Sequence, residues 1–336
     1  MKVLLYTKDY ETVKESGVGK AIDHQIKALS LVGCDFTLDE TEDFDIVHIN
    51  TVFPKSVAFA KKAKKAGKRI VYHGHSTKED FKNSFTFSNQ LAPAFKKWLE
   101  YCYNKGDLIL TPTEYSKNIL KNYKLEPPIE VVSNGIDLDF WKKQAGDRDR
   151  FYQKYGLDKN KKSIISVGLP IKRKGIDDFI YLAEKMPEYE FVWFGKLNPT
   201  VMPAEIKRLI DKAPENLHFP GYISSSDLRE AYSGSDLYVF LTHEETEGIV
   251  LLEALATKTD ILIRDIEIFA DDYIDGVNIY KGRTNEDFKK KIKEILNGNL
   301  TSLKDRGYKK AEDKSIKNTG KRLVECYEKV MRLWDL

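Results

Sequence analysis

The sequence has few cysteines and no long apolar segment, and both absences narrow its class. Its three cysteines, Cys34, Cys102 and Cys326, are far apart and odd in number. That spacing argues against a disulfide scaffold or a cysteine-based metal site and is typical of reduced thiols in a cytosolic protein. No apolar run approaches the ~20 residues of a membrane-spanning helix. The apolar stretch near the N-terminus, Val3 to Tyr6, is too short for a signal peptide.

The pattern of apolar segments predicts an α/β protein with two domains. At 336 residues, with 41% hydrophobic and 32% charged residues, the chain exceeds what one hydrophobic core usually supports. Short runs rich in β-branched residues alternate with helical segments, which indicates parallel βαβ units in doubly wound sheets. The predicted strands lie at residues 2–6, 36–38, 44–49, 69–73, 108–111 and 129–132 in the first half, and at 163–168, 189–194, 217–219, 237–241 and 260–263 in the second.

The domain boundary is expected in the polar segment 142–161, which lacks strand character and is predicted to be a linker. We predict one Rossmann-like domain at residues 1–150 and a second at 151–315. A last helix, predicted at 316–333, either packs on the second domain or crosses back to the first within the segment 316–336. Two such domains would face a central cleft at the carboxyl ends of their sheets, where open α/β folds bind ligands.

The net charge of +3 hides a strong asymmetry along the chain. Residues 1–50 contain 5 lysines and 10 acidic residues, a net charge of −5, whereas residues 51–124 contain 15 Lys/Arg and 5 acidic residues, a net charge of +10. A local surplus of this size favours attraction to a membrane surface, a nucleic acid or a phosphate-rich ligand. The alternative is a solvated lysine face without a partner.

The segment from Glu245 to Ala254 carries the strongest chemical pattern. Two carboxylates, Glu245 and Glu253, are separated by seven residues, and Gly248 between them opens a predicted helix. The first amides of a helix favour an anion. An acidic helix start is explained by the helix dipole alone, but that explanation does not account for a buried apolar run that ends in Glu253. The pattern therefore predicts a pocket with one carboxylate at sugar hydroxyls and one at a ribose.

This motif resembles the Glu-x7-Glu signature of the retaining GT-B glycosyltransferases of family 4. Three further segments resemble the same family in order and spacing: the Asn134-Gly135-Ile136-Asp137 turn, the strand end and loop from Val167 to Gly175, and the Phe219–Tyr222 loop. The resemblance covers nearly the whole chain and implies a GT-B fold, with two Rossmann-like domains and a nucleotide-sugar donor.

The resemblance also implies roles for individual residues. Glu245 would bind the transferred sugar, and His73, at a strand end, would lie near the reacting sugar and is preferred over His75. Lys174 would hold the diphosphate. Leu169 stands where the family usually has arginine, and Arg173 is expected to supply that guanidinium. The remaining residues expected at the donor are Gly17 and Gly19 in a glycine loop, Tyr222 at the nucleobase, and Glu247, Gly248, Ile249, Val250 and Glu253.

The implied chemistry is hexosyl transfer with retention and without a required cofactor or metal ion. Retention through a covalent intermediate would need a carboxylate nucleophile. The family is thought instead to let the acceptor attack from the side that the diphosphate leaves, so positioning and electrostatics dominate. Three Asp-x-Asp matches, at 43–45, 137–139 and 147–149, are interpreted as structural because none is predicted at a strand end.

The acceptor is predicted from the basic segment 51–124. Lysines interleaved with aromatic side chains on a helix suit an anionic lipid surface. A packed core with solvated lysines is the alternative. The strand ends and glycine loop resemble the glycolipid-synthesising members of the family, which add a second glucose from UDP-glucose to monoglucosyldiacylglycerol. The residues expected at the membrane surface are Lys61, Lys62, Lys64, Lys65, Lys96, Lys97 and Trp98.

We therefore expect a peripheral enzyme at the cytoplasmic face of the membrane, with a nucleotide sugar and a glycolipid acceptor as partners and no nucleic acid. One alternative is a GT-B hexosyltransferase, using glucose or galactose, with a soluble or polysaccharide acceptor. It would share the donor motifs and would not need the basic aromatic surface. A second is a non-enzymatic protein that binds an anionic surface or nucleic acid, which would leave the pair Glu245 and Glu253 unexplained.

Overall fold

The computed structural model describes residues 1–84, 87–198 and 202–332. Within these residues the strands form two six-stranded sheets in which every pairing is parallel. Parallel sheets are covered on both faces, so their strands are continuous apolar runs such as Val3–Tyr6, which is buried throughout. The predicted α/β architecture of doubly wound sheets is confirmed.

The first compact unit comprises Met1–Phe81, Gln90–Asp137 and the chain from Lys314 onward. Its strand order is β2-β1-β3-β4-β5-β6, so the topology reverses between β1 and β3. Its strands are β1 (Val3–Tyr6), β2 (Phe36–Thr37), β3 (Ile46–Ile49), β4 (Arg69–His73), β5 (Leu108–Thr111) and β6 (Ile129–Val131). The associated helices are α1 (Tyr10–Val13), α2 (Gly17–Leu31), α3 (Pro54–Lys65), α4 (Lys78–Phe81), α5 (Ser88–Tyr103), α6 (Glu114–Lys121) and, at the C-terminus, α14 (Ile316–Arg332).

The second compact unit comprises Leu138–Asp313 together with Lys82–Asn89. Its strand order is β12-β11-β10-β7-β8-β9, with the reversal between β7 and β10. The strands are β7 (Ser163–Val167), β8 (Glu190–Phe194), β9 (Leu217–Gly221), β10 (Leu237–Phe240), β11 (Ile261–Arg264) and β12 (Tyr280–Gly282). The helices are α7 (Asp147–Tyr155), α8 (Ile176–Lys185), α9 (Ala204–Asp211), α10 (Ser225–Gly234), α11 (Ile249–Ala256), α12 (Asn285–Leu296) and α13 (Lys304–Asp313).

The C-terminal helix α14 packs on the first sheet, beside α2. Leu323, Tyr327 and Val330 of α14 are buried in a core cluster with strand residues such as Val3 and Val71. The two helices approach closely at Gly320, where a Cβ atom would lie 2.5 Å from the carbonyl oxygen of Ala28. Two placements were expected for this helix, on the second domain or back on the first. The structure places it in the first unit. The predicted last residue of the helix, Leu333, lies outside the described residues.

The segment 142–161, expected to be a linker, instead contains helix α7, and the predicted boundary at residue 150 falls inside it. Phe151 is fully buried, and Asp147, also buried, accepts hydrogen bonds from Arg229 Nη1 (3.0 Å) and Ser233 Oγ. The chain instead passes from the first unit to the second between Asp137 and Leu138. The linker expectation is wrong because a few apolar residues and one paired carboxylate are enough to dock a polar helix.

Candidate functional site

The site in the second unit lies where the strand order reverses, at the carboxyl ends of β7 and β10. These strands are neighbours, with Ile165 opposite Tyr238. After β7 the chain turns at Gly168 and forms a single 3-10 turn at Lys172–Lys174. After β10 it continues into the loop that carries Glu245 and then into α11. The crevice at the carboxyl ends of the strands, where the strand order reverses, is the usual ligand site of doubly wound sheets.

The structure brings Lys174 and Glu245 together as an ion pair between Nζ and Oε1. Both side chains are largely buried, with 15% and 8% of their surfaces exposed. A paired cation and carboxylate in so little solvent interact more strongly than a surface pair. The two residues are predicted to bind different groups of the ligand, the sugar and the diphosphate. The structure shows that they also contact one another.

Hydrogen bonds to backbone carbonyls join the two loops. The amide of His243 donates to the Arg173 carbonyl at 2.8 Å, and Arg173 Nη1 donates to the Glu244 carbonyl at 2.9 Å. Arg173 is buried. Its guanidinium therefore supports the loop that carries Glu245, and its contact with a diphosphate stays a prediction.

Gly195 and Gly175 allow neighbouring loops to pack closely together. A Cβ atom on Gly195, after β8, would lie 2.0 Å from the Gly168 carbonyl oxygen. Gly175 has φ +78°, and a Cβ there would lie 2.5 Å from the Leu241 carbonyl oxygen. These contacts leave no room for a side chain at either position, so the ends of the strands pack backbone against backbone. Tyr222 follows β9 at the same edge and is 49% exposed.

Helix α11 begins after Gly248, which has φ +80° and provides no capping side chain. Glu247 is buried, Ile249 is buried at the first turn, and Val250 is partly exposed. Glu253 is fully buried, and the Tyr232 hydroxyl lies 3.2 Å from its Oε2. The contact of Glu253 with a ribose stays a prediction, and in the structure this side chain is buried among protein groups.

In the first unit, the predicted glycine loop is the first turn of α2. The hydroxyl of Ser16 caps the helix by accepting from the Gly19 amide at 3.4 Å. A Cβ on Gly19 would lie 2.4 Å from the Val13 carbonyl oxygen, whereas a Cβ on Gly17 would meet nothing within 4 Å. Gly19 is thus required by packing against the preceding turn, and Gly17 is the glycine with open space around it. These residues therefore form the first turn of a helix, capped by Ser16, and not a loop. The contact of Gly17 and Gly19 with the donor stays a prediction.

His73, the last residue of β4, lies in a cluster of histidines whose proximity was not predicted from the sequence. His48 of β3 and His75 flank it, with ring centroids 5.3 Å and 4.2 Å from the His73 ring. Burial lowers the pKa of His48 to about 3 and the pKa of His73 well below its usual value. Both imidazoles are therefore neutral. A histidine inside the apolar run Ile46–Ile49 is the signal that could have drawn attention to His48.

The predicted membrane residues have different environments. Lys61, Lys62, Lys64 and Lys65 are exposed on α3, as is Lys97 on α5, and Lys96 is half-buried over the Tyr123 ring. Trp98 is half-buried, packs against the core and donates from Nε1 to the Val52 carbonyl at 2.8 Å. Tyr101 is more exposed, at 40%, with Lys61 and Lys105 over its ring.

The described residues contain neither a membrane-spanning helix nor a group of metal-ligating side chains. Across residues 1–84, 87–198 and 202–332, no helix has the length and hydropathy to cross a bilayer. Over the same residues, no three His, Cys, Asp or Glu side chains are grouped so that they could hold a metal ion.

Two family sequence profiles match the chain. The profile described as glycosyl transferases group 1 matches residues 147–314, half of the chain. The profile described as glycosyltransferase family 4 matches residues 33–140. The first match contains Lys174 and Glu245, and the second contains His48 and His73.

Curated relatives and solved structures agree with these profiles. The chain is 39% identical to a processive diacylglycerol alpha-glucosyltransferase from Acholeplasma laidlawii, over 99% of each chain. It is 26% identical to an alpha-galactosylglucosyldiacylglycerol synthase from Streptococcus pneumoniae, over 77% of this chain and 71% of that one. The fold matches that of Anabaena HepE in complex with UDP-glucose, with TM-score 0.77 at 14% identity over 98% and 100% of the two chains. It also matches WaaG, a glycosyltransferase involved in lipopolysaccharide biosynthesis, with TM-score 0.69 at 15% identity over 97% and 98%.

Proposed function

The chain belongs to the glycosyltransferases, its two parts matching group 1 and family 4, and from this premise we propose that it transfers glucose from UDP-glucose to a diacylglycerol-based glycolipid. The acceptor proposed first is monoglucosyldiacylglycerol, which would become diglucosyldiacylglycerol. The observation that carries the proposal is 39% identity along 99% of the chain to an enzyme named for glucosyl transfer to diacylglycerol.

The donor is proposed to bind at the carboxyl ends of β7 and β10. Lys174 would neutralise the diphosphate, and Glu245 would accept hydrogen bonds from hexose hydroxyls. Because the two side chains form an ion pair, donor binding is expected to bring phosphate oxygens to the Lys174 ammonium. Glu245 is then released towards the sugar, which couples donor binding to the orientation of this carboxylate.

The remaining donor contacts are proposed from position. Tyr222, exposed after β9, would lie against the nucleobase. The start of α11 at Gly248 favours phosphate charge through its first amides and its dipole. Glu253 would reach the ribose only if it exchanges its contact with Tyr232.

The proposed reaction retains the configuration at the anomeric carbon. The acceptor hydroxyl attacks from the side on which the diphosphate leaves. As the bond from the anomeric carbon to phosphate oxygen breaks, a bond to the acceptor oxygen forms, and a phosphate oxygen takes the acceptor's proton. Lys174 stabilises the negative charge that grows on the departing diphosphate, and no covalent sugar–enzyme intermediate is needed.

The acceptor is proposed to be reached from a membrane surface. The exposed lysines of α3 and the exposed Tyr101 lie on the first unit, in the part of the chain with the net charge of +10. Each basic residue near an anionic bilayer contributes about 1 kcal/mol, so several together would retain the enzyme there. Peripheral association at the cytoplasmic face is part of the proposal.

Radiolabelled UDP-glucose tests the proposal against its main alternative. The enzyme is offered mixed vesicles with diacylglycerol, vesicles with monoglucosyldiacylglycerol, and a soluble glucan without lipid. We expect label in diglucosyldiacylglycerol, and the ratio of one-sugar to two-sugar product from diacylglycerol measures processivity. Label in the glucan alone would support a soluble acceptor. A parallel assay with radiolabelled UDP-galactose tests the donor, and faster transfer from UDP-galactose would overturn the donor assignment.

A further inference from the structure

A chain of polar side chains crosses the otherwise apolar face of the first sheet and ends at His73. It starts at Tyr327 of α14, whose hydroxyl lies 2.7 Å from His48 Nδ1. His48 Nε2 lies 3.2 Å from His73 Nδ1, and the two ring planes are within 5° of each other. All three residues are at most 1% exposed. The far nitrogen of His73, Nε2, is buried and has no hydrogen-bond partner among the described residues.

Counting the protons on Tyr327, His48 and His73 shows which group donates in each of these hydrogen bonds. Burial keeps both imidazoles neutral, so each ring carries one proton. The Tyr327 hydroxyl makes its one hydrogen bond within the described residues to His48 Nδ1, and a buried O–H donates where it has a single acceptor. His48 Nδ1 therefore accepts, His48 Nε2–H donates to His73 Nδ1, and the proton of His73 lies on Nε2.

A second contact agrees with this direction. Gln25 and Asn50 form a reciprocal amide pair, with Gln25 Nε2 donating to Asn50 Oδ1 at 2.9 Å and Asn50 Nδ2 donating to Gln25 Oε1 at 2.8 Å. The other hydrogen of the Gln25 amide faces His73 Nδ1 at 3.1 Å. His75 Nε2 lies 2.8 Å from Asn50 Oδ1, where it acts as a donor. In this arrangement His73 Nδ1 faces donors on two sides and serves as an acceptor.

We propose that Tyr327 and His48 are positioning residues that hold His73 as the neutral Nε2–H form, so that His73 donates a hydrogen bond to an oxygen of the bound sugar or acceptor. The identity of that ligand rests on the proposed function, whereas the proton position does not. A buried donor without an acceptor is unfavourable, and a ligand oxygen at the end of β4 would satisfy it. His73 is then a hydrogen-bond donor and not the base that takes the acceptor's proton.

The proposal assigns a role to the C-terminal helix α14. Because Tyr327 and His48 are 279 residues apart in sequence, the correct form of His73 depends on α14 being docked. A merely structural role of Tyr327 would affect stability and leave the proton position of His73 unchanged.

The direct test is NMR of protein with 15N-labelled histidine, without ligand. The chain has six histidines, and the His73 signals are assigned from their loss in His73→Gln. Two-bond correlations distinguish an Nε2–H from an Nδ1–H imidazole. We expect Nε2–H at His73 in the wild type and a changed pattern in Tyr327→Phe. An Nδ1–H pattern in the wild type would overturn the proposal whatever the substrate is.

The matched control is Tyr72→Phe. Tyr72 is fully buried in β4, and its hydroxyl has no hydrogen-bond partner among the described residues. This substitution also removes a tyrosine hydroxyl from the first unit, and it leaves the hydrogen bonds from Tyr327 to His73 intact. Tyr72→Phe should keep the His73 pattern and the turnover of the wild type.

Turnover gives the second readout. Tyr327→Phe should lower kcat about fivefold to tenfold, the factor that one ordinary hydrogen bond represents, with KM for the donor within about twofold. His48→Gln keeps a donor near the Nε2 position and should retain most activity, whereas His48→Phe should lose more than Tyr327→Phe. If Tyr327→Phe matches Tyr72→Phe in both the His73 pattern and kcat, the proposed positioning role is wrong. Inactivity of the wild type with UDP-glucose would count against the proposed function and leave the NMR result standing.

Discussion

At the scale of single residues, the candidate site of the second unit is centred on the buried ion pair of Lys174 and Glu245. A buried carboxylate is stable beside a cation, and the same cation is what a diphosphate would require. One pair can thus keep the site folded and select the charge of the ligand. Arg173 supports this pair through the Glu244 carbonyl, so changing Arg173 would alter the geometry of Glu245 as well as the local charge.

Glu245→Gln should reduce kcat by about a hundredfold or more, as expected when an electrostatic contact to the reacting group is lost. The affinity for UDP should remain nearly unchanged, because UDP lacks the hexose that Glu245 is proposed to bind. Steady-state kinetics together with UDP titration by calorimetry measure the two effects. The control is Glu215→Gln, an exposed glutamate of the same unit. Full activity of Glu245→Gln would remove Glu245 from the proposed site.

The buried histidines predict a dependence of stability on pH. Unfolded imidazoles titrate near pH 6.5, whereas burial lowers the pKa of His48 to about 3 in the folded protein. Between these values the unfolded chain binds more protons, so stability falls as pH falls below 6.5. His48→Gln should flatten this loss by up to about 1.4 kcal/mol per pH unit, or about 2–4 °C in the unfolding midpoint per kcal/mol. Parallel slopes for wild type and variant between pH 6.5 and 5 would contradict this expectation.

At the scale of elements, helix α2 shows how two glycines with the same sequence motif differ in role. Gly19 lies where the α1 turn passes over the helix, and Gly17 lies in open space. The motif predicted a glycine-rich approach to a ligand for both residues. Only the packing of Val13 and Lys14 against α2 separates them, and no local pattern records that packing.

Gly19→Ala should lower the thermal midpoint, because its Cβ would lie 2.4 Å from the Val13 carbonyl oxygen and overpacking costs about 1–3 kcal/mol. Gly17→Ala should leave the midpoint unchanged or raise it, since alanine is the better helix former by about 1 kcal/mol. If a diphosphate approaches Gly17, this variant should nevertheless raise KM for the donor. Differential scanning calorimetry and kinetics on both variants decide. Equal destabilisation by the two exchanges would contradict the assigned contacts.

At the scale of the whole molecule, the charge asymmetry predicts an enzyme that binds to an anionic membrane surface. The part of the chain that carries the net charge of +10 includes α3, whose lysines are exposed. Attraction between such a surface and an anionic bilayer is screened by salt over about 10 Å at 0.1 M. Membrane binding should therefore be stronger at low ionic strength.

Vesicle sedimentation tests this expectation. The protein should bind vesicles with anionic lipid, bind neutral vesicles weakly, and dissociate as salt is raised from about 50 mM to 500 mM. Changing Lys61, Lys62, Lys64 and Lys65 to glutamine should remove most of the binding, at about 1 kcal/mol for each lysine. The same exchange of the exposed Lys304, Lys309, Lys317 and Lys321 keeps the net charge matched and should have a smaller effect. Equal losses would show that only overall charge matters, and no binding at low salt would refute the membrane surface.

Much of the fold was predictable because parallel strands are buried on both faces and must be apolar along their length. β4 was predicted at its observed bounds, and β3 within two residues at its start. Helix α7 was missed because its polar residues dominate its composition, while Phe151 and Asp147 are buried by contacts with a distant helix. β12 was missed because Tyr280–Gly282 is too short to show a period.

The sequence by itself determined the α/β class, the order of the strands along the chain, and the family, because each depends on local patterns of residue type. It also named the residues that carry charge at the candidate site. Only the tertiary structure decided which groups meet: Lys174 with Glu245, Arg173 with the Glu244 carbonyl, and Tyr327 with His48. These contacts join residues 71 to 279 positions apart, and their formation depends on strand order and helix docking. In the proposal, the position of the proton on His73 depends on the docking of helix α14.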